Sequence, residues 1–345
     1  PSPVVENALK NFDFKEICFY PYYGELTRKI ANYTGISAEK IKVTNGADEA
    51  HQSVINTYAE SGDILLTVEP SFSMPEIYMN IQGGEVISVP FDIKYEFPVD
   101  NFIKESYNPK VKIMYLSSPN NPTGNVIKES DLIKIIEACP DKAVILDETY
   151  ANYSGYIYDK YAEKYDNLFV IRSFSKDFAL AGLRLGYIIS NEKNINNIKK
   201  VVSPYSVNRF AMKAGIAALE DIKYFESVKN EVIESRAELK SFFENLGADV
   251  YDSEANFLLV DFGEKAGFVY DKLIKSDIIV KKYGKGGILD NHLRVTIPTK
   301  QGVEKIKKAL ELKPSLVFDM DGVLINAQNS YRIAIQKIGR ASCRE

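Results

Sequence analysis

The stretch "RSFSKDFALAGLRLGY", Arg172 to Tyr187, sets a lysine among small hydroxyl residues, runs apolar, and places an arginine eight positions later. Taken alone, Lys176 reads as a solvated lysine at a turn. Its flanks decide otherwise. "NLFVIRS" precedes it and "LGYIIS" ends the segment, so the lysine lies between two short β-rich runs. The pattern continues outward. "IKVTN", "DILLTVEP", "GEVISVP", "VKIMYLS" and "AVILDE" read as strands, and a helix opening at "GADEA", then "SFSMPEIYMN" and "ESDLIKIIEAC", read as helices among them. Continuous apolar strands alternating with helices predict an α/β fold whose mostly parallel sheet is covered on both faces. A long helical region follows, roughly Arg209 to Asn245. After it, "ANFLLVDF", "DIIVKK" and "HLRVTIP" read as strands, with helices near Lys265 to Ser276 and Lys300 to Leu312. That is a smaller α+β unit.

Bulk properties exclude several function classes. The net charge of −4 leaves no basic footprint for nucleic acid. No apolar run reaches the roughly 18 residues of a membrane span, and no signal peptide opens the chain. Cys18, Cys139 and Cys343 are odd in number and lack metal-ligand spacing, which fits a reducing cytoplasm. Two histidines, His51 and His292, leave little room for a histidine metal site or a Ser-His-Asp triad.

Four motifs sit at strand ends, where open α/β sheets bind ligands. In "NGADEA", Gly46 permits close backbone approach, and the helix beginning at Ala47 and Asp48 offers free N–H groups suited to a phosphate. A capped helix after a turn would read the same. In "SSPNNPTG", two prolines and a glycine fix a turn that holds Asn121 over the sheet edge as a hydrogen-bond donor. In "LDETY", Asp147 is carried by the apolar run "AVIL" into a buried place, where a carboxylate needs a cationic or hydrogen-bonding partner. A structural salt bridge and a protonated ring nitrogen both satisfy that need. In the opening stretch, apolar walls and Arg184 lower the proton affinity of Lys176, while Ser173, Ser175 and Arg184 can hold a phosphate. A phosphate, a pyridine nitrogen, a phenolic oxygen and an aldehyde condensing with a lysine together describe pyridoxal 5'-phosphate.

From Pro1 to about Leu312 the chain resembles the fold-type I aminotransferases, most closely the histidinol-phosphate aminotransferase family. "YPYYGELTRKIANYTG", "VTNGADEA", "PSFSMPEIY", "SPNNPTG", "LDETY", "SFSKDFALAGLRLGY", "ANFLLV" and "LRVTIPT" carry the resemblance in order. It implies a three-layer pyridoxal-phosphate transferase large domain and a smaller α+β domain. It also implies roles. Lys176 would bond the cofactor aldehyde and move the substrate proton. Asp147 would pair with the pyridinium, and Asn121 and Tyr150 would hydrogen-bond the ring oxygen. Ser173, Ser175, Arg184 and the backbone of Ala47 and Asp48 would hold the phosphate, with Phe72 stacked on the ring. Tyr20 would reach the phosphate of a neighbouring subunit, so a homodimer with shared sites is expected. Arg294 would bind the anionic group of the substrate. Thirteen residues earlier, where the family often has a second arginine, this chain has Lys281, which keeps the charge but loses bidentate geometry.

The implied activity is transfer of an amino group from glutamate to imidazole acetol phosphate, giving histidinol phosphate and 2-oxoglutarate in the cytoplasm, with no metal. Rival readings are an aromatic amino acid aminotransferase, a phospho-amino-acid decarboxylase of the same fold, and a non-catalytic ligand-sensing domain. The expected organisation is a truncated N-terminal arm over 1–22, a large cofactor-binding domain over 23–225 and a small domain over 226–313. "VFDMDGVL", Val317 to Leu324, resembles the first motif of haloacid dehalogenase-like phosphatases, with Asp319 as nucleophile, Asp321 as acid/base and Mg²⁺ between carboxylate and phosphate. Residues 314–337 would be the start of such a domain. "IGRASCRE", Ile338 to Glu345, reads as one frame of a common sequencing adapter and is expected to be an artefact.

Overall fold

The computed structural model describes residues 1–92, 95–284 and 286–311, together with the backbone of Leu316–Phe318 and Leu324–Asn326, which pair antiparallel. Asp319, Asp321 and the segment 338–345 lie outside the described residues.

In chain order the elements of the larger sheet and its covering helices begin with α1 (Pro3–Lys10), α2 (Gly24–Thr34), β1 (Ile41–Thr44), α3 (Gly46–Tyr58), β2 (Ile64–Glu69), α4 (Met74–Ile81) and β3 (Glu85–Pro90). They continue with α5 (Val99–Ser106), β4 (Val111–Ser117), α6 (Glu129–Ala138), β5 (Ala143–Asp147), β6 (Leu168–Ser173), β7 (Gly186–Ile189), α7 (Glu192–Ile198) and α8 (Arg209–Glu220). The sheet order is β1-β7-β6-β5-β4-β2-β3. Its pairs are parallel except at β7, which runs against both β1 and β6. The reversal has a local cause. A parallel return needs a long crossover, usually a helix, and residues 174–185 contain only a short helical turn at Ala181–Leu183. The chain therefore turns back at the same sheet edge, and Lys176 stays there.

Strand alternation sorts side chains between two cores. Met114 and Leu116 of β4 and Val144 and Leu146 of β5 face one core, shared with α2, α5, α6 and α8. Ile113 and Tyr115, Ala143 and Ile145, and Phe169 and Ile171 of β6 face the other, shared with α3, α4 and α7. Continuing that period, Asp147 and Ser173 end their strands on the α3 side, whereas Glu148 and Arg172 fall on the opposite side.

The helical region expected from Arg209 to Asn245 is two helices. It breaks at Asp221, between α8 and α9 (Ile222–Asn245). A second sheet follows from β8 (Asp249–Val250), β9 (Phe257–Asp261), β10 (Lys281–Lys282) and β11 (His292–Thr296), with α10 (Ala266–Lys275) and α11 (Lys300–Leu310). Its order is β10-β11-β9-β8, all antiparallel. "DIIVKK" is a strand only at Lys281–Lys282. Leu239 and Phe243 of α9, Leu273 of α10 and Ile306 of α11 close this core with Leu258, Val260 and Leu293. No described helix is long and apolar enough to cross a membrane.

Candidate active site

At the C-terminal edge of β4, β5 and β6 lies a cavity of about 300 Å³. Its walls include Ala47, Asp48, Phe72, Asn121, Asp147 and Tyr150, and also Ser173, Ser175, Lys176, Arg184 and Arg294. Eleven positions singled out in the sequence thus meet in one place, although they span the chain from residue 47 to residue 294. Ser117, Thr149 and Ala181 line it as well and were not anticipated.

The anionic end forms where β1 turns into α3. No side chain caps this helix, so the N–H groups of its first turn are open to a ligand. Gly46 has φ +76°, and a Cβ there would stand 2.8 Å from Nη2 of Arg184. Arg184 itself pairs with Asp48 at 2.6 Å. On the other side, a Cβ on Gly186 would lie 2.7 Å from the carbonyl carbon of Gly46 and 2.9 Å from the nitrogen of Ala47. Two backbones therefore touch directly under the helix start. Gly186→Ala is expected to cost about 1–3 kcal/mol by overpacking and to weaken anion binding by displacing the start of α3. Urea unfolding and cofactor titration would check this, and unchanged values of both would show that the two backbones part freely.

The two adjacent asparagines of "PNNPTG" divide the work. Asn120 is buried and spent on the turn. Its Nδ2 donates to the carbonyl of Pro70 at 2.9 Å and to Oγ1 of Thr123 at 2.8 Å, while its Oδ1 accepts from Ser71 at 2.9 Å. Asn121 faces the cavity, and its Oδ1 accepts from Nη1 of Arg294 on β11. Its remaining polar group is therefore the Nδ2 donor that the sequence called for.

Asp147 is buried at the base of the cavity. Its Oδ1 accepts the backbone N–H of Thr149 at 2.9 Å, and its Oδ2 accepts the hydroxyl of Tyr115 at 3.1 Å. Nε2 of His51 stands 3.1 Å from the same Oδ2. Burial raises the proton affinity of this carboxyl, but the imidazole beside it and the hydrogen bond from the Thr149 N–H outweigh burial and hold its pKa below the ordinary value. The carboxylate is thus ionised at neutral pH despite its low exposure.

Lys176 lies in the β6–β7 loop, with Nζ 5.8 Å from the centre of the Tyr150 ring. Burial first, then the charges of Arg294 and Arg184, lower its pKa. A larger share of the amine is then neutral and nucleophilic. The Tyr150 hydroxyl is pushed up to about 12 by burial, so at neutral pH it remains protonated and able to donate. Its ring meets Phe257 edge-on at 5.1 Å. Two buried polar atoms of the lining, Oγ1 of Thr149 and Nε of Arg294, have no protein partner among the described residues. Unmade hydrogen bonds of this kind cost about 1–3 kcal/mol each, which suits a site completed by a polar ligand.

Directly behind the site lies a separate ionic cluster. Glu148 and Arg172 pair at 2.9 Å, with Asp159 3.8 Å from the same guanidinium. Asn152 links Arg172 to Asp177. Burial pushes both Glu148 and Asp177 up to about 7, against the pull of Arg172. Strand alternation explains why Asp147 faces the cavity while its neighbour Glu148 is structural.

Two predicted residues lie elsewhere. Tyr20 is 76% exposed, stacked on Tyr205 at 4.4 Å, and outside the cavity lining. Lys281 is cross-strand from Arg294 in the β10–β11 pair, so both side chains leave the same face. It is exposed and also outside the lining. His51 was missed. The available signal was its spacing, since Ala47, His51, Val54, Ile55 and Tyr58 form one helical stripe that packs on the sheet.

The family model described as "Aminotransferase class I and II" matches residues 1–311. A curated histidinol-phosphate aminotransferase of Clostridium kluyveri is 35% identical over 306 residues, covering 87% of this chain and 85% of the relative. The solved histidinol-phosphate aminotransferase of Clostridium acetobutylicum is 28% identical with a TM-score of 0.79, over 90% of this chain and 95% of that one. The Sinorhizobium meliloti histidinol-phosphate aminotransferase in complex with pyridoxal-5'-phosphate superposes with a TM-score of 0.83 at 22% identity, over 90% and 86% of the two chains. With one cavity uniting an amine, an ionised carboxylate and an open helix start on a fold-type I scaffold, this chain belongs to the class I and II aminotransferases.

Proposed function

We propose that this aminotransferase uses pyridoxal 5'-phosphate to move an amino group reversibly between glutamate and imidazole acetol phosphate, giving 2-oxoglutarate and L-histidinol phosphate. The observation that carries the cofactor reading is the pairing, across one cavity, of a lysine of lowered proton affinity with an ionised buried carboxylate. The names of the curated relatives support the substrate.

The residues fit the cofactor. The first-turn N–H groups of α3 with Arg184, Ser173 and Ser175 would hold its phosphate. Asp147 would hold a proton on the ring nitrogen. Nδ2 of Asn121 and the Tyr150 hydroxyl would donate to the ring oxygen, and Phe72 would lie against the ring. When bound, the cofactor supplies an aldehyde carbon and an electron-withdrawing ring. Nζ of Lys176 would be the amine available to that carbon and the base that would carry the proton of the substrate α-carbon. Arg294 would take the substrate carboxylate in one half-reaction and the phosphate in the other, with Lys281 as a more distant charge. Asn121 orients the guanidinium from the opposite domain.

The enzyme is read as a cytoplasmic homodimer. Phe14, Ile17, Phe19, Tyr20 and Tyr22 are exposed on one short N-terminal segment, an apolar surface that a second copy would cover and through which Tyr20 would reach the partner's phosphate site. Sedimentation that showed only monomer would rule this out. The D-x-D segment at 319–321 supports a phosphatase-like start, and a phosphomonoesterase would consume the phosphorylated product. Residues 314–337 would be only the opening of such a domain and are expected to be inactive by themselves, so Mg²⁺-dependent phosphate release by this chain would overturn that expectation.

The deciding experiment is optical. The protein saturated with pyridoxal phosphate is expected to show a visible lysine-bound band that bleaches when L-histidinol phosphate is added. A band that responds to phenylalanine instead would keep the aminotransferase and replace the substrate. Carbon dioxide release from threonine phosphate would favour the decarboxylase reading. A chain that binds amino acids but turns none over would favour the sensing domain.

A further inference from the structure

His51 carries chemistry that the assigned residues do not use. It is wholly buried, on the sheet-facing stripe of α3, one turn after the open helix start. Its ring meets Tyr115 edge-on at 5.5 Å and lies 6.1 Å from Phe72. Neither ring nitrogen has an aligned hydrogen-bond partner among the described residues, yet Nε2 is 3.1 Å from Oδ2 of Asp147. Tyr115 reaches the same oxygen from the neighbouring strand. The β4–β5 register pairs Ser117 with Asp147, so Tyr115 is the diagonal neighbour on the same face.

The acceptor positions of Asp147 can then be assigned. A carboxylate oxygen has two lone-pair directions. Oδ2 takes the Tyr115 hydroxyl and is faced by His51, while Oδ1 takes only the Thr149 N–H. The position left for a ligand is on Oδ1.

We propose that His51 is a positioning residue which, together with Tyr115, engages Oδ2 from behind and thereby commits Oδ1 of Asp147 to the ring nitrogen of the cofactor. The proposal rests on the reading of Asp147 as the partner of that nitrogen. Without His51, the carboxylate can rotate and share its proton-holding position less firmly, and the ring nitrogen loses protonation. Cofactor affinity and proton abstraction at the substrate carbon then fall together, while binding of the substrate anion at Arg294 does not change.

The test uses the full chain loaded with pyridoxal phosphate carrying ¹⁵N in its ring, because the nitrogen shift reports protonation directly. In wild type the signal is expected at the protonated position. In His51→Leu it should move toward the free-base position, with kcat down about tenfold and KM for glutamate little changed. His51→Asn, whose amide can donate to Oδ2, should recover most of the signal. Tyr115→Phe removes the other donor and should shift it in the same sense as His51→Leu. A folded, loaded His51→Leu protein with the wild-type nitrogen signal would overturn the proposal. If that variant does not fold, wild-type signals in both His51→Asn and Tyr115→Phe would overturn it, and a shift in Tyr115→Phe with recovery in His51→Asn would support it. A wild-type protein that takes up no cofactor would instead remove the underlying reading of the site, a result distinct from a loaded protein insensitive to residue 51.

Discussion

Replacing Lys176 by alanine is expected to leave a folded protein that binds pyridoxal phosphate without a covalent link and turns over at least about a thousandfold more slowly. The size follows from removing at once the two functions proposed for this residue, the amine that would bond the cofactor aldehyde and the base that would move the substrate proton. Folding should survive, because among the described residues Nζ makes no hydrogen bond beyond its approach to the Tyr150 ring at 5.8 Å. The loop is held by other means. The carbonyl of Lys176 accepts from the Tyr153 hydroxyl at 2.9 Å, a backbone contact that alanine retains. Loss of the visible lysine-bound band together with a retained noncovalent cofactor would check the first half, and single-turnover kinetics the second. Near-normal turnover in this variant would refute the assignment of the lysine.

For Asp147 the expected effect is also large, and two substitutions separate its causes. Asp147→Ala should weaken cofactor binding and slow proton abstraction by about a hundredfold or more, the scale of losing one preorganised electrostatic partner. It should also destabilise the fold, since the buried Tyr115 hydroxyl and the Thr149 N–H lose their acceptor, at about 1–3 kcal/mol. Asp147→Asn keeps an oxygen for one of these donors but carries no charge. It is expected to recover much of the stability and little of the rate. Thermal unfolding and the rate of band bleaching with histidinol phosphate measure the two quantities independently. Full activity in the asparagine variant would show that the charge at this position is not needed.

Much of this site was legible because its residues adjoin strand ends. An apolar run such as "AVIL" announces a buried strand, and whatever follows it stands at the sheet edge. That logic found Asp147, Asn121, Ser173 and Lys176, all of which line the cavity. Period-two alternation also carries Asp147 and Ser173 to the α3 face and Glu148 and Arg172 to the other. The helix start at Ala47 and Asp48 was readable for a similar reason, because glycine before a helix marks close backbone approach.

Other features depended on contacts between distant parts of the chain. The grip of Arg294 on Asn121 joins residues 173 positions apart, and its existence depends on how the second sheet sits against the first. The reversal of β7 follows from a connection too short in helix to cross the sheet. The break at Asp221 was hidden because both flanking segments carry helical periodicity. Tyr20 stands exposed and stacked on Tyr205, a packing that its local sequence does not announce.

The sequence by itself determined the layered α/β architecture and which side chains stand at the strand ends, because periodicity and strand-end position are local properties. Only the tertiary structure decided which groups stand behind Asp147. Tyr115 and His51 are an ordinary strand aromatic and an ordinary helix residue until packing of α3 on β4 and β5 brings both within 3.1 Å of one carboxylate oxygen. A carboxylate's charge in a buried place is set by such neighbours, and neighbours are fixed by packing.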